Sequence, residues 1–397
     1  MIINDRNKHI IYQVIRMKKI CLFLLLFLIP LMGIRADELN LAENSKSAIL
    51  IESSTGEILY QKNANEKLAP ASMTKIMSLI LIMENLENGN LKWNDIVVTS
   101  KNAASMGGSQ IFLEANEMMS VEDLVKGICI ASGNDATVAL AEKIAGTEKA
   151  FVKLMNDKAS SLGLKNTHFV NATGLDAEGH YSSAYDMSVM ARELVRHEKI
   201  LEFSSIYEDY LRKNTEKSFW LVNTNKLVKF YSYIDGLKTG FTKNAGYCLT
   251  ATGKKKDMRL ISVVMGAETT DKRSTDTLAM LDYGFNRYSI DKVVSSDKAL
   301  GKIKINLGDN EEADIISVKD INILNDSQKG KRNITYKIDT KSINAPIKKG
   351  DVIGKITVYE NGKYLSYEDI TVVNDVKKAN IFKILARNLK DIMGVNL

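Results

Sequence analysis

Three short motifs in the sequence combine the residue types that acyl-transfer chemistry needs. Residues 72–75 read SMTK, residues 132–134 read SGN and residues 238–240 read KTG. Each motif is weak alone, because residues 295–298 repeat the first pattern and residues 342–344 repeat the second. Both of these repeats lie beyond the only KTG, so only the first set keeps the order. The ordered set therefore predicts a site for nucleophilic catalysis.

The first motif supplies a nucleophile and a base. Ser72 and Lys75 are three residues apart, so on a helix their side chains share one face. A serine hydroxyl is a poor nucleophile until a base takes its proton, and Lys75 can be that base if burial lowers its pKa. A helix start also offers free backbone N–H groups to a negatively charged oxygen. The alternative is a capping serine beside a solvated lysine, which is the commoner meaning of this pattern alone.

The other two motifs supply groups that hold a peptide. Ser132 and Asn134 fall between two apolar stretches, where a hydroxyl can relay a proton and an amide can both donate and accept. Lys238 and Thr239 can hold a carboxylate, while Gly240 lets a substrate backbone approach. The alternatives are a helix connection with an N-cap and a solvated lysine at a strand edge.

The surrounding patterns predict a mixed α+β fold. A hairpin is predicted for residues 48–52 and 58–60, and strands 247–252 and 259–265 flank a polar turn at 253–257. A helix is predicted to start near Ser72, with one apolar face. The residues of that face are Met73, Ile76, Met77, Ile80 and Met83. Further helices are predicted at residues 121–131, 136–145, 150–162 and 184–195.

After Tyr288 the composition changes to short Ile- and Val-rich runs. Strands are predicted at residues 303–306, 315–318, 334–338 and 352–359. Asn361 and Gly362 stand between two strand-like runs, which is a strong signal for a two-residue hairpin. We therefore expect a catalytic domain at residues 37–288 and a small, β-sandwich-like domain at 289–375, with no catalytic set in the latter.

The beginning of the sequence predicts export. Arg16, Lys18 and Lys19 precede an apolar run at residues 20–29 that continues to Met32. This length suits a signal peptide better than a membrane span, and we expect residues 1–36 to be removed after Ala36. An uncleaved N-terminal anchor is the alternative. Either way, the remaining chain lies outside the cytoplasm.

The end of the sequence, residues 376–397, predicts an amphipathic helix. Its apolar face consists of Phe382, Leu385, Leu389, Ile392 and Met393. The basic residues around that face are Lys377, Lys378, Lys383, Arg387 and Lys390. A basic amphipathic helix suits the surface of an anionic membrane, so we expect peripheral attachment to the extracytoplasmic face of the cytoplasmic membrane. The alternative is a helix packed back on the protein.

Composition narrows the class of protein. The 397 residues are 45% hydrophobic and 26% charged, and the 54 basic against 48 acidic residues are too balanced to predict nucleic-acid binding. Cys21 lies in the predicted export segment, and Cys129 and Cys248 are expected to be buried thiols rather than a disulfide. The three cysteines and four histidines show no zinc-binding spacing, so no metal or cofactor is expected.

The motifs and their neighbours resemble the low-molecular-weight D-alanyl-D-alanine carboxypeptidases, penicillin-binding serine peptidases that act on peptidoglycan. The resemblance spans roughly residues 41–288, and the β-rich region and tail are also similar to that family. The segments that carry it are 69–75 (APASMTK), 132–136 (SGNDA), 168–171 (HFVN) with 174–175, 179–184 (GHYSSA) and 235–240 (DGLKTG). The implied catalytic fold is the penicillin-binding transpeptidase/β-lactamase-like domain, an antiparallel sheet with a helix cluster.

The resemblance also implies roles. The reaction would remove the terminal D-alanine from pentapeptide stems through an acyl-enzyme on Ser72, and β-lactams would inhibit it. Lys75 would be the base and Ser132 a proton shuttle. Asn134 would hold the substrate amide. Lys238 and Thr239 would bind the terminal carboxylate. The backbone N–H groups of Ser72 and Phe241 would form the oxyanion hole. His168 and His180 are interpreted as structural.

Two other functions share the motifs. A class A β-lactamase also needs a glutamate in an ExxLN segment, but residues 208–211 (EDYL) are followed by Arg212. A catalytically silent cell-wall protein would not need the complete set. A labelled penicillin distinguishes the three: stable labelling indicates a peptidase, rapid turnover a lactamase, and no labelling a silent protein.

Overall fold

The computed structural model describes residues 39–330, 332–341 and 343–393. The chain divides into the units Met1–Asn40 and Leu41–Leu397, and the second is described below. The predicted signal peptide lies outside the described residues. Within the ranges described, no helix is both long enough and apolar enough to span a membrane.

The strands fall into a mixed first part and a β-rich second part. The strands of the first part are β1 (Ser47–Glu52), β2 (Ile58–Lys62), β3 (Ile96–Val98), β4 (Met118–Ser120), β5 (Glu208–Leu211), β6 (Phe219–Val222), β7 (Ile234–Thr242), β8 (Gly246–Lys255) and β9 (Met258–Ala267). Those of the second part are β10 (Tyr288–Val294), β11 (Gly301–Asn306), β12 (Glu312–Ser317), β13 (Ile321–Asp326), β14 (Ile334–Thr340), β15 (Ile343–Asn344), β16 (Gly354–Glu360) and β17 (Lys363–Val372).

The helices, apart from the last, belong to the first part. They are α1 (Lys75–Glu87), α2 (Lys101–Ala104), α3 (Val121–Ala131), α4 (Asn134–Ala145), α5 (Glu148–Ser161), α6 (Ala184–Leu194), α7 (Lys199–Ser204), α8 (Leu227–Phe230), α9 (Thr270–Arg287) and α10 (Ile381–Met393). A 3₁₀ turn at Ala71–Thr74 leads directly into α1.

A five-stranded antiparallel sheet, in the order β2-β1-β9-β8-β7, separates two apolar cores. Ile49 and Ile51 of β1 pack into the larger core, with most of the helices. The alternate residue Leu50 points to the opposite face, where Met280 and Leu281 of α9 cover it. Because successive strand residues face opposite sides, a sheet covered on both faces needs apolar residues at consecutive positions. The hairpin and the antiparallel sheet predicted from the sequence are confirmed.

The predicted helices are confirmed to within two residues at each end. The interval 121–131 matches α3, and its start is fixed by Ser120, whose hydroxyl accepts a hydrogen bond from the Asp123 N–H. Ser183 caps α6 in the same way by accepting from the Asp186 N–H. Such caps satisfy N–H groups that a helix start leaves without partners.

Three details of the prediction are wrong. The chain at Ser72 is a 3₁₀ turn, and the α-helix starts only at Lys75. The turn predicted at 253–257 is shorter in the structure, because β8 continues to Lys255 and β9 begins at Met258. The polar residues Lys254 and Lys255 belong to β8 and occupy exposed strand positions. Helix α9 was not predicted at all, although it covers one face of the central sheet.

The β-rich part has its own apolar core. Its six-stranded sheet has the order β14-β16-β17-β12-β11-β15, and β10 pairs with β13. Asn361 and Gly362 have φ angles of +50° and +77°, the positive values that a type I′ turn requires at both central positions. The predicted hairpin is thereby confirmed, whereas the domain boundaries at residues 36, 288 and 375 stay predictions.

The two cysteines of the described chain are buried free thiols, as predicted. Burial raises the pKa of Cys129 to about 12, although the charge of Lys238 opposes this. The thiol is therefore protonated at neutral pH.

Candidate active site

The nucleophile and the base of the first motif are in contact. Nζ of Lys75 lies 2.9 Å from Oγ of Ser72 and donates a hydrogen bond to the carbonyl oxygen of Thr173 at 2.8 Å. Ala71 precedes Ser72 with a φ of +47°, a left-handed conformation that is costly for a non-glycine residue and turns the chain sharply at the serine. Ser72 is half-buried and lines a cavity, while Lys75 is fully buried behind it.

The environment of Lys75 favours its neutral form. Burial lowers the pKa of this lysine well below its usual range, and the positive charge of Lys238 lowers it further, against a smaller opposing effect of Asp135. None of the ion pairs within the described ranges includes Lys75 or Lys238. A neutral amine 2.9 Å from a serine hydroxyl can accept its proton, so the pair can work as nucleophile and general base.

Ser132 and Asn134 lie in the turn between α3 and α4. Ser132 has a left-handed φ of +65°, which ends α3, and its buried hydroxyl has no hydrogen-bond partner among the residues that the structure describes. The Asn134 side-chain N–H donates to the Gly107 carbonyl at 2.7 Å, while its carbonyl oxygen has no such partner. Buried polar atoms are normally satisfied, so two unpaired ones in one turn are typical of a site that receives a polar ligand.

The neighbouring Asp135 fixes the wall of the cleft in place. Its carboxylate accepts hydrogen bonds from the backbone N–H groups of Ile111 and Leu113 at 3.0–3.1 Å. The segment at 107–113 is thereby held against the start of α4, where Asn134 also donates its backbone N–H to Ser109. The loop that faces Asn134 therefore does not depend on a substrate for its position.

Lys238 and Thr239 lie within β7, the edge strand of the central sheet, rather than before it. Nζ of Lys238 donates to the Thr239 carbonyl at 3.1 Å, and Thr239 donates its hydroxyl proton to Oγ1 of Thr224 at 2.8 Å. Burial lowers the pKa of Lys238 to about 7, partly opposed by Cys129 and reinforced by Arg273. Phe241 is 54% exposed and packs on Tyr247, with 4.3 Å between ring centroids.

Glycine is required where two segments meet behind Ser72. A Cβ at Gly174, whose φ is +86°, would stand 1.8 Å from the carbonyl oxygen of Ala71. A Cβ at Gly240 would stand 2.7 Å from the carbonyl oxygen of Pro70. Both distances are below any tolerable contact, so the KTG strand and the loop at 173–174 approach the nucleophile turn only because these residues have no side chain.

The cavity in front of Ser72 has a volume of about 450 Å³. Of the predicted site residues it is lined by Ser72, Ser132, Thr239 and Phe241, while Lys75, Asn134 and Lys238 are buried and do not line it. The structure therefore brings all three motifs to one cleft. Asp271 is the only acidic residue among the described residues that line it, so the cavity has no glutamate of the kind a class A β-lactamase uses.

Arg273 is a further candidate that the sequence did not reveal. It lies in the first turn of α9, lines the cavity, and is only 6% exposed. Burial lowers the pKa of its guanidinium, and its buried Nε has no hydrogen-bond partner in the described part of the chain. A buried arginine with a free donor is suited to a carboxylate. It stands 33 residues after the KTG motif in a helix that was not predicted, so no local pattern pointed to it.

The two histidines near the cleft support the loop behind it. His180 accepts a hydrogen bond from the Val170 N–H at its Nδ1, so its Nε2 carries the proton and donates to the hydroxyl of Thr74 at 2.8 Å. Burial lowers the pKa of His180 to about 4, with a further contribution from His168, so the ring is neutral. His168 contacts the Gly179 carbonyl through Nδ1 at 2.8 Å. Both contacts fit a structural role.

The chain matches two known families along most of its length. Residues 35–269 match the model of the D-alanyl-D-alanine carboxypeptidase family, Peptidase S11, and residues 288–378 match the C-terminal domain of penicillin-binding protein 5. The D-alanyl-D-alanine carboxypeptidase DacF of Bacillus subtilis is 50% identical over 353 residues, which cover 89% of this chain and 91% of that protein.

Solved structures show the same likeness. Penicillin-binding protein 5 of Haemophilus influenzae has a TM-score of 0.67 at 32% identity, covering 84% of this chain and 98% of that one. Penicillin-binding protein D2 of Listeria monocytogenes, solved in an ampicillin-bound form, has a TM-score of 0.55 at 32% identity, covering 61% of this chain and 98% of its own.

Proposed function

Because the chain belongs to the D-alanyl-D-alanine carboxypeptidase family, we propose that Ser72 is the nucleophile with which it removes the terminal D-alanine from peptidoglycan stem peptides. The protein is a serine peptidase of cell-wall biogenesis and works outside the cytoplasm. The observation that carries the residue assignment is the 2.9 Å contact between Ser72 Oγ and a buried Lys75 that has no ion-pair partner in the described ranges.

Two sets of groups act in the acylation step: those that transfer the proton and those that bind the negative oxygen. Neutral Lys75 takes the hydroxyl proton as Ser72 Oγ bonds to the carbonyl carbon of the penultimate D-alanine. The negative oxygen that forms is bound by the backbone N–H groups of Ser72 and Phe241. Collapse breaks the C–N bond, and the terminal D-alanine leaves with a proton that Ser132 relays from Lys75. Water then hydrolyses the ester by the reverse proton path.

Specificity for a free C-terminus comes from the cationic end of the cleft. Lys238 and Arg273 provide two buried positive charges, and the Thr239 hydroxyl adds a donor when it turns from Thr224 Oγ1 to the substrate. Their charges repel each other and are desolvated, so a substrate carboxylate is the natural counter-ion. Asn134, whose side-chain oxygen lacks a partner among the described residues, would accept a hydrogen bond from the substrate amide.

A β-lactam should use the same groups. Its strained amide presents a carbonyl and a carboxylate much as acyl-D-alanyl-D-alanine does, and a relative from Listeria monocytogenes has been solved with ampicillin bound. We expect a labelled penicillin to acylate Ser72 stably. Peptide mass mapping of the adduct tests this, with Ser72→Ala abolishing the label.

Ser295 offers a matched control, since residues 295–298 repeat the SxxK pattern on the β-rich part. Ser295→Ala should label as the unchanged protein does. An adduct at any other residue, or full labelling of Ser72→Ala, would show that the nucleophile is misassigned. Rapid loss of the label would instead favour a lactamase.

The C-terminal helix is proposed to attach the protein to the membrane surface. In α10, Ile381, Phe382, Leu385 and Leu389 are 52–79% exposed, so the apolar face does not pack on the protein. Arg387 instead anchors the helix from its polar side, donating to the carbonyls of Gly308 and Asp309 and pairing with Glu311. Exposed apolar residues beside lysines suit insertion at an anionic lipid surface. The side chains of Lys390, Ile392 and Met393 lie outside the described ones.

Two variants test this attachment. Removal of residues 376–397 should release the mature protein from membranes while it still cleaves a D-alanyl-D-alanine peptide. The double substitution Phe382→Ser and Leu385→Ser should do the same with the helix retained, because both side chains are exposed. Salt should weaken but not abolish binding of the unchanged protein. Retention of either variant in the membrane pellet after confirmed signal cleavage would place the anchor elsewhere.

A further inference from the structure

A second cluster of ionisable side chains lies among the helices and has no part in the proposed reaction. One ligand atom each of Glu84, Glu193 and His197 lies within 4.8 Å of the others. Glu84 comes from the last turn of α1, Glu193 from the end of α6, and His197 from the turn that follows α6. We call these three residues the helix-end cluster.

His197 is the unusual member of the helix-end cluster. It is only 8% exposed, and its Nδ1 lies 2.8 Å from a carboxylate oxygen of Glu87. Because a carboxylate oxygen only accepts, Nδ1 carries the proton in this contact, and in the neutral tautomer Nε2 has a lone pair. Nε2 is buried and has no hydrogen-bond partner among the described residues. Buried polar atoms normally have a hydrogen-bond partner, so this nitrogen is unsatisfied in the structure.

Two cationic side chains contact the carboxylates of the cluster: Lys158, and Arg196, whose Nη1 lies 3.1 Å from Glu193 Oε2. Lys158 of α5 contacts the Glu84 carboxylate and lies 3.4 Å from Glu193 Oε1, with its side chain 18% exposed. Burial lowers the pKa of Lys158, but the hydrogen bonds and charges of Glu84 and Glu193 outweigh this and raise it. Lys158 compensates the charges of the two glutamates. It does not hydrogen-bond to His197 Nε2, which therefore has no partner among the described residues.

We propose that the helix-end cluster binds one divalent transition-metal ion of the Zn²⁺ type, with Glu84, Glu193 and Nε2 of His197 as its protein ligands. Two carboxylates and a neutral imidazole are a common donor set for Zn²⁺, and imidazole disfavours Mg²⁺ and Ca²⁺. Glu87 supplies the carboxylate that fixes the tautomer and orientation of a metal-bound histidine. Water can complete a tetrahedral shell.

Binding requires Lys158 to leave the carboxylates. Its side chain is long and partly exposed, so it can turn to solvent while the three ligands close around the ion to about 2.0–2.2 Å. Lys158 therefore competes with the metal ion for the two carboxylates. The bound ion would join the ends of α1 and α6, and would raise stability by mass action without touching the cleft.

The test is a titration of the full mature protein with Zn²⁺ and with Co²⁺, after chelator treatment and dialysis. We expect one ion per chain, and a Co²⁺ absorption spectrum typical of four-coordination. His197→Gln should weaken the affinity at least tenfold. Lys158→Met should strengthen it severalfold, because the competing ammonium is gone. Lys153→Met is the matched control, since that lysine of the same helix pairs only with Asp157 at the surface, and it should leave the affinity unchanged.

The two variants move the affinity in opposite directions, which loss of folding cannot imitate. Equal affinity in His197→Gln and the unchanged protein would place any bound ion elsewhere and overturn the proposal. Weaker binding in Lys158→Met, or no ion bound to the unchanged protein and to Lys158→Met alike, would also overturn it. Penicillin labelling of Ser72 should be the same with and without the ion, so the metal site and the proposed reaction are tested separately.

Discussion

The proposed catalytic cleft and the helix-end cluster bury lysines in opposite ways. In the cleft, Lys75 and Lys238 are almost completely buried, belong to no ion pair in the described ranges, and have lowered pKa values. In the cluster, Lys158 is partly buried between two glutamates and has a raised pKa. A lysine side chain is therefore suited to act as a base or as a substrate-binding charge in the cleft, whereas Lys158 is a cation paired with carboxylates in the helix-end cluster.

The comparison shows that the cleft lacks the charge compensation found in the helix-end cluster. A buried ammonium without a carboxylate is desolvated and uncompensated, which lowers the stability of the folded protein. That arrangement lets a lysine lose its proton at neutral pH or bind an anion strongly. Active sites often sacrifice stability in this way, while pairs such as Lys158 with Glu84 restore it elsewhere. Five predictions test this contrast between the two regions.

The largest effect is expected at the base. Lys75→Ala removes the group that we propose accepts the Ser72 proton, so acylation by a labelled penicillin should fall by roughly 10²–10⁴-fold or more. Lys75→Arg keeps a charge that cannot be given up at neutral pH and should be equally inactive. Stopped-flow labelling measures the rate. Near-normal acylation of Lys75→Arg would show that a neutral amine is not needed.

The next effect concerns the anion site. Lys238→Ala and Arg273→Gln should each cost about 2–4 kcal/mol in kcat/KM for a peptide with a free C-terminal carboxylate. A peptide with an amidated C-terminus should lose much less, since it lacks the charge that these residues bind. Comparing kcat/KM for the two peptides measures the selectivity. If either variant discriminates as the unchanged protein does, that residue does not bind the carboxylate.

A smaller effect is expected from the glycine behind the nucleophile. Gly174→Ala should destabilise the fold by about 2–4 kcal/mol and slow acylation, because its Cβ would overlap the Ala71 carbonyl at a left-handed φ. Gly163, just beyond the helix that carries Lys158, is also left-handed but has open space around it. Gly163→Ala should therefore cost only about 1 kcal/mol. Denaturant unfolding measures both values, and equal losses would contradict the close approach.

The smallest effects are expected on the free energy of unfolding when a buried lysine of either region is replaced by methionine. In chelator at pH 7, Lys238→Met should raise the free energy of unfolding by about 1–3 kcal/mol, since an uncompensated buried charge is replaced by an apolar side chain of similar length. Lys158→Met should lower it by about 1–2 kcal/mol, because Glu84 loses its cation and Glu193 keeps only Arg196. A loss of stability in Lys238→Met would contradict the contrast.

The pH dependence of these two lysines should differ in sign. The folded pKa of Lys238, about 7, is far below the unfolded value, so its destabilising effect fades as pH rises from 7 towards about 10.4. The folded pKa of Lys158 is raised, so its stabilising effect is present below about pH 10.4 and is lost as pH rises through the folded pKa. Urea unfolding of the unchanged protein and of both Met variants between pH 7 and 10 measures this: the stability difference for Lys238→Met should shrink as pH rises, while that for Lys158→Met should stay constant.

Much of the chemistry could be predicted from the sequence because it depends on local spacing. Ser72 and Lys75 are close since a helical turn brings residues three apart onto one face, whether the turn is 3₁₀ or α. Ser132 and Asn134 could be placed in a turn because apolar runs end on either side of them. The hairpin at Asn361 and Gly362 followed from the two positive φ angles that these residues accept.

The remaining features depend on contacts between distant segments, which no local pattern encodes. Arg273 reaches the cleft only because α9 packs against the central sheet, and Thr173 reaches Lys75 only because Gly174 admits its loop. The lowered pKa of Lys75 has the same origin, since desolvation comes from the whole surrounding core. The types and order of the reactive groups follow from the amino-acid sequence alone. Which of these groups are buried, paired or left without a partner depends on the tertiary structure, because burial and pairing arise only when segments far apart in the chain come together.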